Sequence, residues 1–224
     1  MMHDDRTAEL FGAMAEDALR IEPLSEGAVI LRRFAAAQAE ALLEAVRNVA
    51  DAAPLRHMTT PGGFRMTAAM TNCGPLGWVT DTSGYRYVTD DPDSGRPWPA
   101  MPGVIRNLAR EAAGAAGFEG FDPDACLVNR YRPGAKLSLH RDRDERDYAH
   151  PIVSVSLGLP ATFLFGGASR RERPYRIPLH NGDILVWGGP ARLFYHGVAP
   201  LPDGRDPLTG DCRINLTLRR AGPL

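Results

Sequence analysis

The stretch RINLTLR, Arg213–Arg219, alternates strictly, with Arg213, Asn215, Thr217 and Arg219 set against Ile214, Leu216 and Leu218. A period of two is that of a β-strand, so one face is apolar and the other carries two guanidinium groups, an amide and a hydroxyl. Arginines on the polar face of a core strand need anionic partners, because an unpaired buried charge costs several kcal/mol. A dicarboxylate meets that need, since arginine grips a carboxylate through two parallel hydrogen bonds. CLVNRY, Cys126–Tyr131, offers a similar face, on which Asn129 and Tyr131 point together toward the same small acid. The competing reading of RINLTLR is an edge strand with a solvated basic face.

Working outward, the runs ACLVNRY, KLSLH, PIVSVSLGLP, ATFLFGG, ILVWGG and RLFYHGV lie between Ala125 and Arg213, separated by Gly, Pro, Asn and Asp clusters. Evenly spaced short strands without a sequence repeat predict a sandwich, jelly roll or barrel and exclude a solenoid. Upstream, Ala35–Ala53 places Leu42, Leu43, Val46, Val49 and Ala50 on one helical stripe that Pro54 ends. A second helix is expected over Pro102–Ala116, closed by Gly117. Residues 54–100 mix strand-like runs with Pro-Gly turns and read as a lid or flap. Residues 1–20 read as a loosely held extension with a weak helical pattern.

LSLHRDRDE, Leu137–Glu145, begins in alternation and turns abruptly to charge. Residues two apart on a strand share a face, so His140 and Asp142 are placed to hold one metal ion. His196, in RLFYHGV, is the best-placed third ligand. Two histidines and one carboxylate leave positions open on the metal, the arrangement of non-haem Fe(II) oxygenases. The pair alone is weak evidence, because the bland alternative is a surface histidine beside solvated acids. His3, His57, His150 and His180 take that bland reading, with His180, in the turn HNGD, the nearest rival ligand.

The totals narrow the class. At 224 residues with 44% hydrophobic content, the chain suits one large domain with a core, and a net charge of -1 leaves no global field to attract nucleic acid. Such a partner would need a local patch. Three distant cysteines without C-x-x-C spacing argue against a disulfide framework or zinc knuckle and point to a reducing compartment. No apolar run approaches a membrane span and no signal-peptide pattern opens the chain, so a cytoplasmic protein is expected.

The segments GAVILRRFA, AMTNCGPLGW, PDACLVNRY, PGAKLSLH, PIVSVSLGLP, GDILVWGG, LFYHGV and DCRINLTLR together resemble, in order, the AlkB family of Fe(II)/2-oxoglutarate dioxygenases, from about Ile21 to Gly222. The resemblance implies an α+β, mainly β fold: a double-stranded β-helix, or jelly roll, over 125–220, flanking N-terminal helices and a nucleotide-recognition flap over 54–100, all within one domain spanning 21–224. It implies Fe(II) held by His140, Asp142 and His196, with 2-oxoglutarate and O2 as co-substrates. Arg213 would pair with the distal carboxylate of 2-oxoglutarate, and Asn129, Tyr131, Asn215 and Thr217 would line the same pocket. Arg219 would lie near the iron-bound end and Asp142.

On the substrate side the resemblance assigns Trp78, Tyr85 and Tyr87 as stacking surfaces for a base removed from its helix. Asp144 would meet the exocyclic amine of an alkylated base, and Arg170, in SRRERPYR, would supply local positive charge with Arg141 and Arg143. The implied partner is single-stranded or locally melted alkylated DNA, with RNA as a further substrate, met by a monomer without a membrane. The implied reaction is oxidative demethylation of 1-methyladenine and 3-methylcytosine. Two positions depart from a bacterial member's pattern: Phe64 stands where tyrosine is expected and Arg141 where glutamine is expected. The rival readings are the same chemistry on RNA or a protein side chain, and a non-catalytic jelly-roll module that binds a small acid.

Overall fold

The structure, a computed structural model, describes residues 20–222, so the extension expected over 1–20 lies outside the described residues apart from Arg20. In chain order the strands are β1 Arg20–Ser25, β2 Ala28–Arg32, β3 Ala69–Cys73, β4 Gly77–Asp81, β5 Gly84–Val88, β6 Ala125–Tyr131, β7 Leu137–His140, β8 Ile152–Gly158, β9 Ala161–Phe165, β10 Tyr175–Leu179, β11 Ile184–Trp187, β12 His196–Val198 and β13 Arg213–Arg219. The helices are α1 Ala39–Ala52 and α2 Gly103–Ala115.

Seven strands form the main sheet in the order β1-β2-β11-β8-β13-β6-β3, and four form a smaller sheet in the order β10-β9-β12-β7. Every pairing between these strands is antiparallel. The two sheets face one another as a jelly roll. Between them lie Ile30, Met70, Leu185 and Trp187 from the main sheet and Phe163, Phe165, Ile177 and Leu179 from the smaller one. The outer face of the main sheet, with Val153, Val155, Val186 and Leu216, buries Leu42 and Val46 of α1 and Ile105 and Leu108 of α2. Because β13 is covered on both sides, all seven of its residues are buried. Its polar face therefore looks into the barrel and its apolar face toward the helices.

Local chemistry sets the helix ends. Ala53 is extended, at φ -134 and ψ 96, because the following proline disfavours helical backbone in the residue before it. α2 ends in a left-handed residue, Gly117 at φ 85, with Phe118 N–H donating to Ala113 O at 2.8 Å and Gly117 N–H to Gly114 O at 2.9 Å. That pair of bonds is the Schellman arrangement, which satisfies carbonyls the helix leaves open.

Two sequence expectations change, and one strand is added to them. The segment 54–100 is not all flap, since β3 pairs with β6 as the buried edge of the main sheet and only β4 and β5 form a separate hairpin. RLFYHGV is not one strand: a tight turn precedes β12, which begins only at His196. YRIPL forms β10, whose Pro178 is tolerated because an edge strand leaves its N–H side unpaired. Among the described residues no helix is long and apolar enough to cross a membrane.

Candidate metal centre and cofactor pocket

β7 and β12 are paired with His140 directly opposite His196. The close approach depends on Gly197: a Cβ there would stand 2.6 Å from Leu137 O, so no other residue fits without moving the strands. The two imidazole rings consequently lie 4.4 Å apart. His140 Nδ1 sits 2.9 Å from Ser138 O, and His196 Nδ1 sits 3.0 Å from Phe194 O. A carbonyl can only accept, so each Nδ1 carries a proton, and in the neutral ring the lone pair of each histidine is on Nε2, facing the space between the rings.

Asp142 arrives by a different route. β7 ends at His140 and residues 141–150 form no strand, so strand alternation does not aim this carboxylate. Arg219 does, donating from Nε and Nη2 to Asp142 Oδ2 at 2.8 and 2.6 Å. Asp142 Oδ1 lies 3.5 Å from His140 Nε2, and Oδ2 lies 3.8 Å from His196 Nε2. One ligand atom from each of the three residues falls within 4.8 Å of the other two, a spacing suited to one shared ion. Two imidazoles and a carboxylate on one side match the non-haem Fe(II) donor set.

The electrostatics agree with ligation. Burial pushes the Asp142 carboxyl upward, but Arg219 and the two imidazoles outweigh it and hold its pKa well below the ordinary range. Burial and the neighbouring His140 take His196 down to about 3. Burial also pulls His140 down, but the hydrogen bond and charge of Asp142 prevail and leave it above its ordinary value.

Deeper along β13, Arg213 is 1% exposed. Its Nη2 donates to Ser156 Oγ at 3.0 Å, its guanidinium lies 5.4 Å from the Tyr131 ring centre, and Nε and Nη1 have no partner among the described residues. Burial lowers its pKa, with only Tyr131 opposing. A buried cation with two unused donors has the chemistry to take a carboxylate. Beside it, Asn215 Nδ2 donates to Ser154 Oγ and Val155 O, Asn215 Oδ1 accepts from Thr217 Oγ1 and Asn129 Nδ2, and Asn129 Oδ1 is left unpartnered. The residues thus fit both groups: a ferrous ion on the triad and a dicarboxylate reaching from it toward Arg213.

Trp78 and Tyr85 stack at the surface with ring centres 5.7 Å apart, and Trp78 Nε1 donates to Asp144 Oδ2 at 3.0 Å. Arg170 is exposed in the β9–β10 loop. Tyr87 departs from the expectation of an exposed stacking face: it is 7% exposed and its hydroxyl donates to Glu145 Oε1 at 2.8 Å. His180 is exposed in its turn, His57 and His150 lie apart from the triad, and His3 is outside the described residues.

Sequence reasoning missed Glu145 and Arg192, both buried. Glu145 Oε1 lies 3.2 Å from Arg219 Nε, and Glu145 Oε2 lies 3.4 Å from Arg192 Nη2. Arg192 also donates to Asp142 O and His150 O, and its guanidinium stands over Tyr148. Together they tie the irregular 141–150 segment to the sheets, and so hold Asp142 in place. No sequence signal marks them, because a charge run normally reads as a solvated face.

Comparison with known proteins agrees with this chemistry. Residues 27–219 match the 2OG-Fe(II) oxygenase superfamily. The chain is 59% identical over 201 residues to the alpha-ketoglutarate-dependent dioxygenase AlkB of Escherichia coli, covering 90% of this chain and 93% of that one. It is 40% identical over 133 residues to the nucleic acid dioxygenase ALKBH1 of Mus musculus, covering 58% of this chain and 34% of that one. The solved structure of OsALKBH1 superposes with a TM-score of 0.78 at 28% identity, covering 90% of this chain and all of that one. With its His140–Asp142–His196 triad on a jelly roll, the chain belongs to the AlkB family of Fe(II)/2-oxoglutarate-dependent dioxygenases.

Proposed function

We propose that the enzyme oxidatively demethylates N-alkylated bases, 1-methyladenine and 3-methylcytosine, in single-stranded or flipped-out DNA. The observation that carries this reading is the Trp78 Nε1–Asp144 Oδ2 bond, which sets an aromatic face and a carboxylate side by side, two residues beyond the metal ligand Asp142. An aromatic face stacks a planar base, and a carboxylate favours the positive charge of these methylated bases while accepting from an exocyclic amine. The similarity to AlkB and to a nucleic acid dioxygenase supports the same substrate class.

When bound, Fe(II) and 2-oxoglutarate activate O2: one oxygen atom ends in succinate with loss of CO2, and the other enters a C–H bond of the N-methyl group. The resulting hydroxymethyl group loses its O–H proton as the C–N bond breaks, which gives formaldehyde and the unmodified neutral base. The protein's part is positioning. Arg213 takes the distal carboxylate of the keto acid, Tyr131 covers that guanidinium, and Asn129, Asn215 and Thr217 form the hydrogen-bonded wall beside it. Arg219 holds Asp142 by one oxygen. Trp78 and Tyr85 receive the base, Asp144 reads its amine, and Arg170 with Arg141 and Arg143 meets backbone phosphates. No side chain need act as a nucleophile or general base. A cytoplasmic monomer fits this role, and the three unpaired thiols accord with a reducing compartment.

The test is formaldehyde release from a single-stranded oligodeoxynucleotide carrying 3-methylcytosine, with and without 2-oxoglutarate. One formaldehyde per succinate is expected. Steady succinate formation with the methyl group retained would overturn the reading, and parallel RNA and peptide arms identify the substrate in that case.

A further inference from the structure

We propose that Tyr175, at the start of β10, is a stacking platform for the nucleotide next to the target base, and that it forms with the arginines around it the far wall of the nucleic-acid track. This inference rests on the proposed function. It follows from a row of residues across the smaller sheet: Tyr175 pairs with Phe165, Phe165 with His196, and His196 with His140. Directly opposed residues in antiparallel strands point to the same face, so Tyr175 lies on the face that bears the metal ligands.

The alternation within β10 says the same. Ile177 and Leu179, two and four residues on, are buried between the sheets, yet Tyr175 on their face is 73% exposed. An aromatic ring on the inner face of a barrel strand is normally core. This one, at the first residue of β10, is left uncovered. At about 4.8 Å per strand, its backbone lies about 10 Å from that of His196 and about 14 Å from that of His140.

The other edge of the sheet is β7, followed by Asp144 with Trp78 bonded to it. The metal row therefore has aromatic rings on both flanks, Trp78 and Tyr85 on one and Tyr175 on the other. A strand that delivers a base to the metal crosses from one edge to the other. The charge around Tyr175 suits the polyanion: Arg170, Arg171, Arg173 and Arg176 are all exposed, none of them is in an ion pair among the described residues, and the one acid of the run, Glu172, is turned back onto Ser169 N–H. Apolar rings exposed among unpaired arginines are the composition of a single-strand track, in which rings take bases and guanidinium groups take phosphates.

The experiment compares kcat/KM for demethylation of the 3-methylcytosine mononucleotide with that for a 15-nucleotide single strand carrying the same base at its centre. The wild-type enzyme, Tyr175→Ala and Tyr175→Trp are measured. The advantage of the long substrate is expected to fall about tenfold in Tyr175→Ala and to return in Tyr175→Trp, since stacking needs a ring and not a hydroxyl. A 2-aminopurine placed beside the target base should be quenched on binding to the wild type and brighter on Tyr175→Ala. An unchanged ratio, an equal loss on both substrates, or failure of tryptophan to restore it would overturn the assignment. Failure of the wild type to demethylate either substrate would instead remove the underlying function.

Discussion

Arg219 places two hydrogen bonds on a single oxygen of Asp142, leaving the other oxygen 3.5 Å from His140 Nε2. The fork does what strand geometry does not, because Asp142 lies beyond the end of β7. Arg219→Gln should destabilise the protein by about 3–5 kcal/mol, since it removes the cation bonded to buried Asp142 and leaves buried Glu145 with Arg192 alone. It should also weaken Mn(II) binding about 10–100-fold. Thermal melts and metal titrations check both effects.

Arg213 lies in the opposite condition, a buried cation with unused donors. Arg213→Met should leave the ligand-free fold as stable as the wild type or more so, because it removes an uncompensated charge and keeps the volume. The same change should abolish the thermal stabilisation that 2-oxoglutarate confers on the wild type. Differential scanning with and without 2-oxoglutarate reads both outcomes.

Tyr87 and Tyr85 sit two residues apart in one strand and should behave differently. Tyr87→Phe removes the hydroxyl bond to buried Glu145, leaving it only Arg219 and Arg192, and is expected to lower stability by about 1–3 kcal/mol, with little change in turnover at temperatures where the fold is intact. Tyr85→Ala should leave the melting temperature nearly unaltered and reduce turnover of methylated oligonucleotide. Urea unfolding beside formaldehyde assays separates the two.

Metal affinity should rise with pH through the neutral range. His140 has its pKa raised by Asp142 and keeps a proton that an incoming ion must displace, whereas His196, at about 3, has none to give up. Calorimetric titration of Mn(II) in buffers of different ionisation enthalpy should show proton release that is fullest below about pH 6.5 and fades as pH climbs through the raised value. In the metal-free protein the sign reverses. A raised folded pKa means that the His140–Asp142 pair stabilises fully below about pH 6.5, and that this contribution is lost as pH climbs through the raised value.

Much of this molecule is written in short-range pattern. The alternation in Arg213–Arg219 announces a strand with a buried cationic face, and the helices and their ends follow from stripe, proline and glycine. These readings succeed because strand and helix periods are local properties of backbone geometry. β3 reads as part of a flap because turn-rich neighbours surround it.

What needed three dimensions was convergence. His140 and His196 are 56 residues apart in sequence, and only the β7–β12 pairing with Gly197 between them brings their rings together. Asp142 takes its aim from Arg219, Tyr87 withdraws from the surface to reach Glu145, and Arg192 anchors an irregular segment from a distant turn. The residue types and their alternation dictate which groups must find partners when buried. Which partner each one meets is decided by the crossing of chain segments remote in sequence, because charge pairing and ligation act through space and carry no period along the chain.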